Sequence, residues 1–398
     1  MTAVALVAGI ALHAAGVDLL PSPGAAEPLR WAEAAPASGQ SPTPERTVTV
    51  LGAGDVLIHP EVWQQAERDS GAGRFDFFPM FRPVSETISG ADLALCHLET
   101  PLAAPGGPFA GYPAFSAPPQ VLQGVKKAGF DGCSTASNHS IDKGEAGVLR
   151  TIEAFDAAGL GHTGTSRSAA QANTPKIYPV RGVKVAHLSY TSGFNGLNRP
   201  PGKEWLANRI EPARIIAMAK RARDAGAEIV VLSLHWGTEY QHEPDAGQRD
   251  LARVLLASPH IDAILGHHAH VVQPIEKIGG KWVVYGMGNQ LARHAEPIDE
   301  NREGIMARLT FTEQAPQRWK VTTIEAIPTW TELAPDLRLL EPARVLADPA
   351  TPAARRRTCQ AAMDRIRGHL FTRGAEKAGL VVTPGRRGTA TPRRTAGR

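Results

Sequence analysis

Short apolar, β-rich runs alternate with helical patterns from about Thr47 to about Trp330. The runs at 47–51, 92–96, 132–135, 183–189, 229–234, 261–265 and 282–285 predict strands. Helices are predicted over 119–128, 144–158, 212–225 and 246–256. In the second of these, Ala146, Leu149, Ile152, Ala154 and Phe155 recur near helical spacing. The third opens on Glu211-Pro212 and is stopped by Gly226. Residues 275–278, Gly279-Gly280 and residues 281–284 predict a hairpin. Alternating strands and helices define an α/β class, and the hairpin makes the sheets mixed rather than purely parallel.

The flanks read differently. Residues 3–17 are apolar, and the first basic residue is Arg30. A run this short falls below the roughly 20 residues that span a bilayer. It resembles the apolar part of a signal peptide without its basic start, so an extracytoplasmic protein, secreted or membrane-anchored, is expected. Residues 20–45 form a Pro/Ala/Ser-rich linker, and 338–373 looks helical. The expected organisation is an apolar segment and linker over 1–46, a main domain over 47–330, a helical extension over 331–382 and a basic tail over 383–398. That tail holds five arginines and no acid, whereas the whole chain of 398 residues carries only +4. The body is therefore near neutral, which argues against a nucleic-acid-binding face. A 42% hydrophobic content supports a sizeable core and excludes wholesale disorder. Three cysteines are too few for a disulfide scaffold, and Cys96 and Cys133, inside apolar strands, read as small core residues.

The chemistry gathers where the strands end. Residues 47–51 lead through Gly52-Ala53-Gly54 to Asp55, and 92–96 lead to His97-Leu98-Glu99. Residues 132–135 lead to Asn138-His139, 229–234 to His235-Trp236, and 261–265 to Gly266-His267-His268-Ala269-His270. Ligands of open α/β sheets collect at the carboxyl ends of strands. Taken singly, Asp55 is a turn residue or helix cap, Glu99 a loop carboxylate, Asn138-His139 a cap and His235 a buried imidazole. Three imidazoles within four residues have no packing rationale, and on an extended segment His268 and His270 face one side. Five successive endings of this kind favour one convergent pocket. Carboxylate, amide oxygen and imidazole together suit divalent Mn, Fe or Zn and argue against a thiolate-rich structural zinc site. Six donors exceed the need of one tetrahedral ion and suit two ions about 3.5–4 Å apart. His139 is the candidate for protonating a leaving group, because imidazole titrates near neutral pH. A Ser or Cys nucleophile finds little support, since no Gly-x-Ser-x-Gly occurs.

This constellation resembles the calcineurin-like metallophosphatase superfamily and, within it, the CapA family of poly-γ-glutamate capsule biosynthesis proteins. The resemblance covers about residues 48–289. Its carriers are Gly54-Asp55, His97-Leu98-Glu99-Thr100-Pro101-Leu102, the run from Ser137 to Gly144, His235-Trp236-Gly237-Thr238-Glu239-Tyr240, Gly266-His267-His268-Ala269-His270-Val271 and Tyr285-Gly286-Met287-Gly288-Asn289. It implies a four-layer α/β/β/α sandwich. It also implies two divalent ions held by Asp55, Glu99, Asn138, His235, His268 and His270, with His139 as acid. His59, His97, Asp142, Glu239, His267 and Asn289 become candidates for supporting the ligands or touching substrate. Trp236 becomes the tryptophan expected nearest the substrate. The chain departs from the pattern at Leu57, where the superfamily's Asp-x-His places an imidazole, and His59 is the nearest histidine. It departs again at His97, where Asn is expected, and at Gln290, where an aromatic is expected. The implied function is metal-dependent hydrolysis in capsule or poly-γ-glutamate biosynthesis at the cell envelope. The implied substrate is an anionic polymer or phosphoester, and the implied partners are membrane-bound capsule-synthesis subunits. The competing expectation is a non-catalytic subunit of a polymer synthesis or export complex with a structural or vestigial metal site. Leu57 favours that alternative; His139 and the His268/His270 pair disfavour it.

Overall fold

Successive residues of the central strands join opposite hydrophobic clusters, and this decides the layering. In β1 (Thr47–Val56), Val48 and Val50 join one hydrophobic cluster while Leu51 and Ala53 join another. In β2 (Leu93–Leu98), Leu93 and Leu95 part from Ala94 and Cys96 in the same way. A strand buried on both faces must lie between two layers. The computed structural model describes residues 46–71, 73–294 and 298–382; the apolar N-terminal run, the linker and the arginine tail lie outside them.

The remaining strands are β3 (Gly132–Ser134), β4 (Gly161–Thr163), β5 (Lys176–Val180), β6 (Val183–Thr191), β7 (Ile229–His235), β8 (Ala263–His267), β9 (Ile275–Ile278), β10 (Lys281–Val284), β11 (Asn289–Leu291), β12 (Glu303–Ala315), β13 (Arg318–Glu332), β14 (Arg338–Leu340) and β15 (Leu380–Val382). Among the described residues they form two mixed sheets. One runs β14-β13-β12-β1-β2-β3-β4, with β11 on β1 and β15 on β13; the other runs β5-β6-β7-β8-β10-β9. Val50 and Leu95 of the first sheet and Val185, Val231 and Leu265 of the second share a cluster, so the sheets pack face to face. Helices Pro60–Ser70, Val121–Ala128 and Gly144–Ala158 cover the outer face of the first sheet through Val62, Val125 and Phe155. Helices Pro212–Asp224 and Ala246–Ala257 cover the second through Ile215, Met218 and Leu255. The order is helix, sheet, sheet, helix. Each fully buried Val or Leu contributes about 1.5–3 kcal/mol relative to exposure.

Several elements lay beyond the periodicity. β12 and β13 form a long antiparallel pair beside β1, fully buried over most of their length, where alternation carries no signal. The stretch expected to be helical from residue 338 instead begins as β14, and its main helix is Ala353–Phe371. Ile366 and Leu370 of that helix close the edge of the inter-sheet core. Cys96 and Cys133 are not merely packed thiols. They are register partners on β2 and β3 and are joined as a disulfide, with Cys359 buried and free.

His187 on β6 is fully buried and meets Ser233 Oγ of β7 at 2.9 Å through Nε2. Burial pulls its pKa down from 6.5 to about 3. The folded pKa lies below the unfolded one, so this residue's contribution is complete above pH 6.5 and is lost as pH falls toward 3. Between pH 7 and 5 it should cost about 2 kcal/mol of stability. Urea unfolding of His187→Gln at the two pH values should show a drop smaller than that of the wild type by this amount; equal drops would contradict the assignment.

Candidate metal centre

Strand register assembles the site. One row crosses the first sheet: Ser134 pairs with His97, His97 with Asp55, and Asp55 with Asn289. A second row crosses the other sheet, where His235 pairs with His267. The two rows face each other at the carboxyl ends of parallel strands. His97 Nε2 lies 3.0 Å from His235 Nδ1, and His267 Nδ1 lies 3.1 Å from Asp55 Oδ1. The His97 and His267 rings stack at 4.1 Å.

Glu99 stands just past β2, at the centre. Both of its carboxylate oxygens are buried and without a hydrogen-bond partner. His270 Nε2 lies 3.6 Å and His235 Nε2 3.9 Å from Glu99 Oε1. His235 Nε2 also lies 3.0 Å from Asn138 Oδ1. Asp55 Oδ2 accepts the His268 N–H at 3.1 Å and faces His270 Nδ1 at 3.3 Å. Buried donor atoms therefore meet in overlapping groups: Asp55/Glu99/His270, His97/Glu99/His235 and Asp55/His97/His267, with Glu239/His268/His270 at the rim. A buried carboxylate with no partner is costly, and such groups pair with charge or coordinate metals. The residues present thus fit a cation shared across Glu99.

Electrostatics point the same way. Burial and the Asp55 charge push Glu99 up to about 7, against the pull of His270. Burial opposes a charge on His270, yet the Glu99 and Asp55 carboxylates raise it to about 10. Burial also works against the Asp55 carboxylate, but hydrogen bonds from His267 and His270 hold it well below its usual range. Burial drives His97 and His235 well down, and His268 to about 4, leaving neutral imidazoles of the kind metals bind.

His268 and His270 do reach the site, but not by lying on an extended segment. β8 stops at His267, and the two residues take positive φ values of 90° and 55°. Such backbone costs about 1–3 kcal/mol per residue and persists only where surroundings enforce it. Here the His268 N–H bond to Asp55 and the Tyr240 N–H bond to the Ala269 carbonyl enforce it. Asn289 orients His270: its Oδ1 accepts from Nδ1 at 3.0 Å, while its Nδ2 donates to the Asn301 carbonyl at 2.7 Å. His139 Nδ1 donates to Asp142 Oδ2 at 2.7 Å, and the Phe115 ring meets the imidazole edge-on at 4.7 Å. Glu239 is half-exposed, 3.9 Å from His268 Nδ1.

One expected residue sits elsewhere. Trp236 is no wall of this pocket. It is buried in the outer core of the second sheet, and its Nε1 donates to the Tyr285 carbonyl at 2.9 Å. His59 belongs to none of the donor groups; its Nδ1 accepts from the Arg293 N–H, and its ring packs on His294. Leu57 packs with Phe115 and Ala292. Three contributors went unread in the sequence. Ser134 bonds His97 Nδ1 at 2.8 Å. His294 Nε2 takes a hydrogen bond from Asn289 Nδ2 at 3.0 Å, and His294 Nδ1 lies 3.3 Å from the Tyr240 hydroxyl. Only Ser134 had a signal, as the parallel partner of His97.

A four-layer sandwich with a carboxylate–imidazole cluster at its strand ends defines an α/β class with a candidate metal centre. The chain belongs to the bacterial capsule synthesis protein PGA_cap family, whose model matches residues 49–294. It is 32% identical over 178 residues to the capsule biosynthesis protein CapA of Bacillus anthracis, covering 44% of this chain and 43% of that one. It is 31% identical over 206 residues to the PGA biosynthesis protein CapA of Bacillus subtilis, covering 50% and 52%. The chain spans about half the length of these relatives. Among solved structures, the calcineurin-like phosphoesterase YfkN of Bacillus subtilis aligns at 14% identity with a TM-score of 0.43, covering 81% of this chain and 98% of that one.

Proposed function

We propose that this chain is a metal-dependent hydrolase of the phosphoesterase type, serving capsule-polymer synthesis at the cell envelope. The observation that carries the reading is Glu99, a buried carboxylate with neither oxygen hydrogen-bonded and two imidazoles of the second sheet, His235 and His270, aimed at it. Asp55, Glu99 and His270 would hold one divalent ion; Glu99 and His235, with Asn138 beside them, would hold another, and His268 stands at the rim with Glu239. Such a pair supplies acidified water and neutralises charge developing on a phosphoryl or carbonyl oxygen.

The chain's own residues do the rest. Asp142 fixes the Nδ1–H tautomer of His139, so Nε2 is the atom that exchanges a proton with the leaving group. Asp142 Oδ2 also accepts the Phe115 N–H at 2.8 Å, which anchors the carboxylate. Neutral His97 and Asn289 hold the two central imidazoles from behind. The capsule-synthesis family description and the names of the CapA relatives fit an anionic polymer as substrate, and membrane-bound synthesis subunits are the partners this reading proposes. The Cys96–Cys133 disulfide supports an oxidising, extracytoplasmic setting.

His139→Ala should lower turnover of a chromogenic phosphodiester by about 10²–10⁴-fold while leaving bound metal unchanged. Turnover equal to wild type would remove His139 from the chemistry. The second reading, a non-catalytic subunit, draws on Leu57, which puts a packed aliphatic group where an imidazole is expected. Bound metal with no turnover of phosphodiester, phosphomonoester or γ-glutamyl probes would favour it.

A further inference from the structure

The hydrogen bonds behind His235 can run in two directions. His235 Nε2 faces Asn138 Oδ1 at 3.0 Å, and His235 Nδ1 faces His97 Nε2 at 3.0 Å. His97 Nδ1 faces Ser134 Oγ at 2.8 Å, and the Ser134 hydroxyl also reaches the Cys96 carbonyl at 3.3 Å. All four side chains are buried. In the first direction Ser134 donates to His97 Nδ1, His97 Nε2–H donates to His235 Nδ1, and His235 Nε2–H donates to Asn138. In the second, Ser134 donates to the Cys96 carbonyl and accepts from His97 Nδ1–H, while His97 Nε2 accepts from His235 Nδ1–H. His235 Nε2 then carries a lone pair aimed between Asn138 and Glu99.

Both arrangements hold the same number of protons. Each imidazole keeps one and the serine keeps its own, so reversal changes no net charge: the proton that leaves His235 Nε2 is matched by one taken up at the Ser134 oxygen. Only the second arrangement lets His235 ligate a cation. His270 has no such freedom, because Asn289 Nδ2 is committed to the Asn301 carbonyl and leaves only an acceptor for His270 Nδ1–H.

We propose that His97 is a positioning residue, and that cation binding at His235 reverses this relay and turns the Ser134 hydroxyl from His97 to the Cys96 carbonyl. The proposal rests on the metal-centre reading above. The superfamily pattern places Asn where His97 stands, so the relay belongs to this chain's own departure from it. Without an acceptor at position 97, His235 keeps its proton on Nε2, bonded to Asn138, and competes with the ion.

The test uses the full chain with ¹⁵N-labelled histidine. Long-range ¹H–¹⁵N spectra are recorded metal-free and through a Zn²⁺ titration, with the His97 and His235 signals assigned by their loss in His97→Gln and His235→Gln. Both imidazoles should pass from Nε2–H to Nδ1–H as Zn²⁺ binds. His97→Leu should weaken Zn²⁺ binding about 10–100-fold, the range for losing a partner behind a ligand. His97→Gln, whose Oε1 can accept from His235 Nδ1–H, should bind close to wild type and controls for packing. Zn²⁺ binding with the His97 tautomer unmoved, or His97→Leu binding as wild type, overturns the relay alone. A wild type that binds no Zn²⁺ overturns the metal-centre reading and the relay with it.

Discussion

Glu99→Gln should abolish the metal-dependent part of this protein's stability. A cation that binds only the folded chain stabilises it by about 2.7 kcal/mol at a hundred times its Kd. For a chain this long that corresponds to several degrees in Tm. Wild-type protein should therefore melt higher with Mn²⁺ or Zn²⁺ than with EDTA. Glutamine keeps the shape of Glu99 but removes the charge that every central imidazole faces. The variant's Tm should not respond to either addition. In EDTA its Tm reads the balance of two opposed losses, the burial cost that pushes the Glu99 carboxyl up to about 7 and the attraction that helps raise His270 to about 10. Thermal shift assays read all four values. A variant that gains as much from metal as wild type would show that Glu99 is not the shared ligand.

Gly266→Ala should be the most damaging single methyl group at the site. Gly266 precedes the His267–His270 run, and a Cβ there would meet the Tyr285 carbonyl oxygen at 1.8 Å and the Val284 carbonyl oxygen at 2.7 Å. Those are backbone atoms of the neighbouring β10 end, which cannot swing aside as a flexible side chain would. The Met287 N–H also donates to the Gly266 carbonyl at 3.1 Å, tying the same two segments together. Relief requires separating β8 from β10. The cost should exceed about 4 kcal/mol, the range reserved for clashes of this kind. The expected result is a Tm lower by at least about 5 °C, or no soluble protein. Gly106→Ala meets nothing within 4 Å and serves as the neutral control. Gly266→Ala at wild-type Tm would mean the two strands approach less closely than described.

Much of this architecture was legible because local pattern and fold agree. Helix Gly144–Ala158 and the β9–β10 hairpin follow directly from spacing and from Gly279-Gly280. The donor residues were legible as strand endings, since register carries each ending to a shared row. What escaped depends on contacts across the chain. β12 and β13 are buried on both faces and show no alternation to read. Trp236 follows a ligand candidate in sequence, but the turn after β7 sends it into the opposite core. The left-handed backbone at His268 and His270 is imposed by Asp55 and the Tyr240 loop, and nothing in the local sequence asks for it. The Cys96–Cys133 disulfide needed the parallel register of β2 and β3 before it could be seen.

The central claim is that Glu99 holds divalent ions between two imidazole-bearing sheets. Elemental analysis of the full chain, loaded with Mn²⁺ or Zn²⁺ and dialysed free of excess, tests it most directly. The proposed two-ion centre predicts roughly two ions per chain in wild type and loss of them in Glu99→Gln. Wild-type protein retaining no more metal than Glu99→Gln would contradict the account.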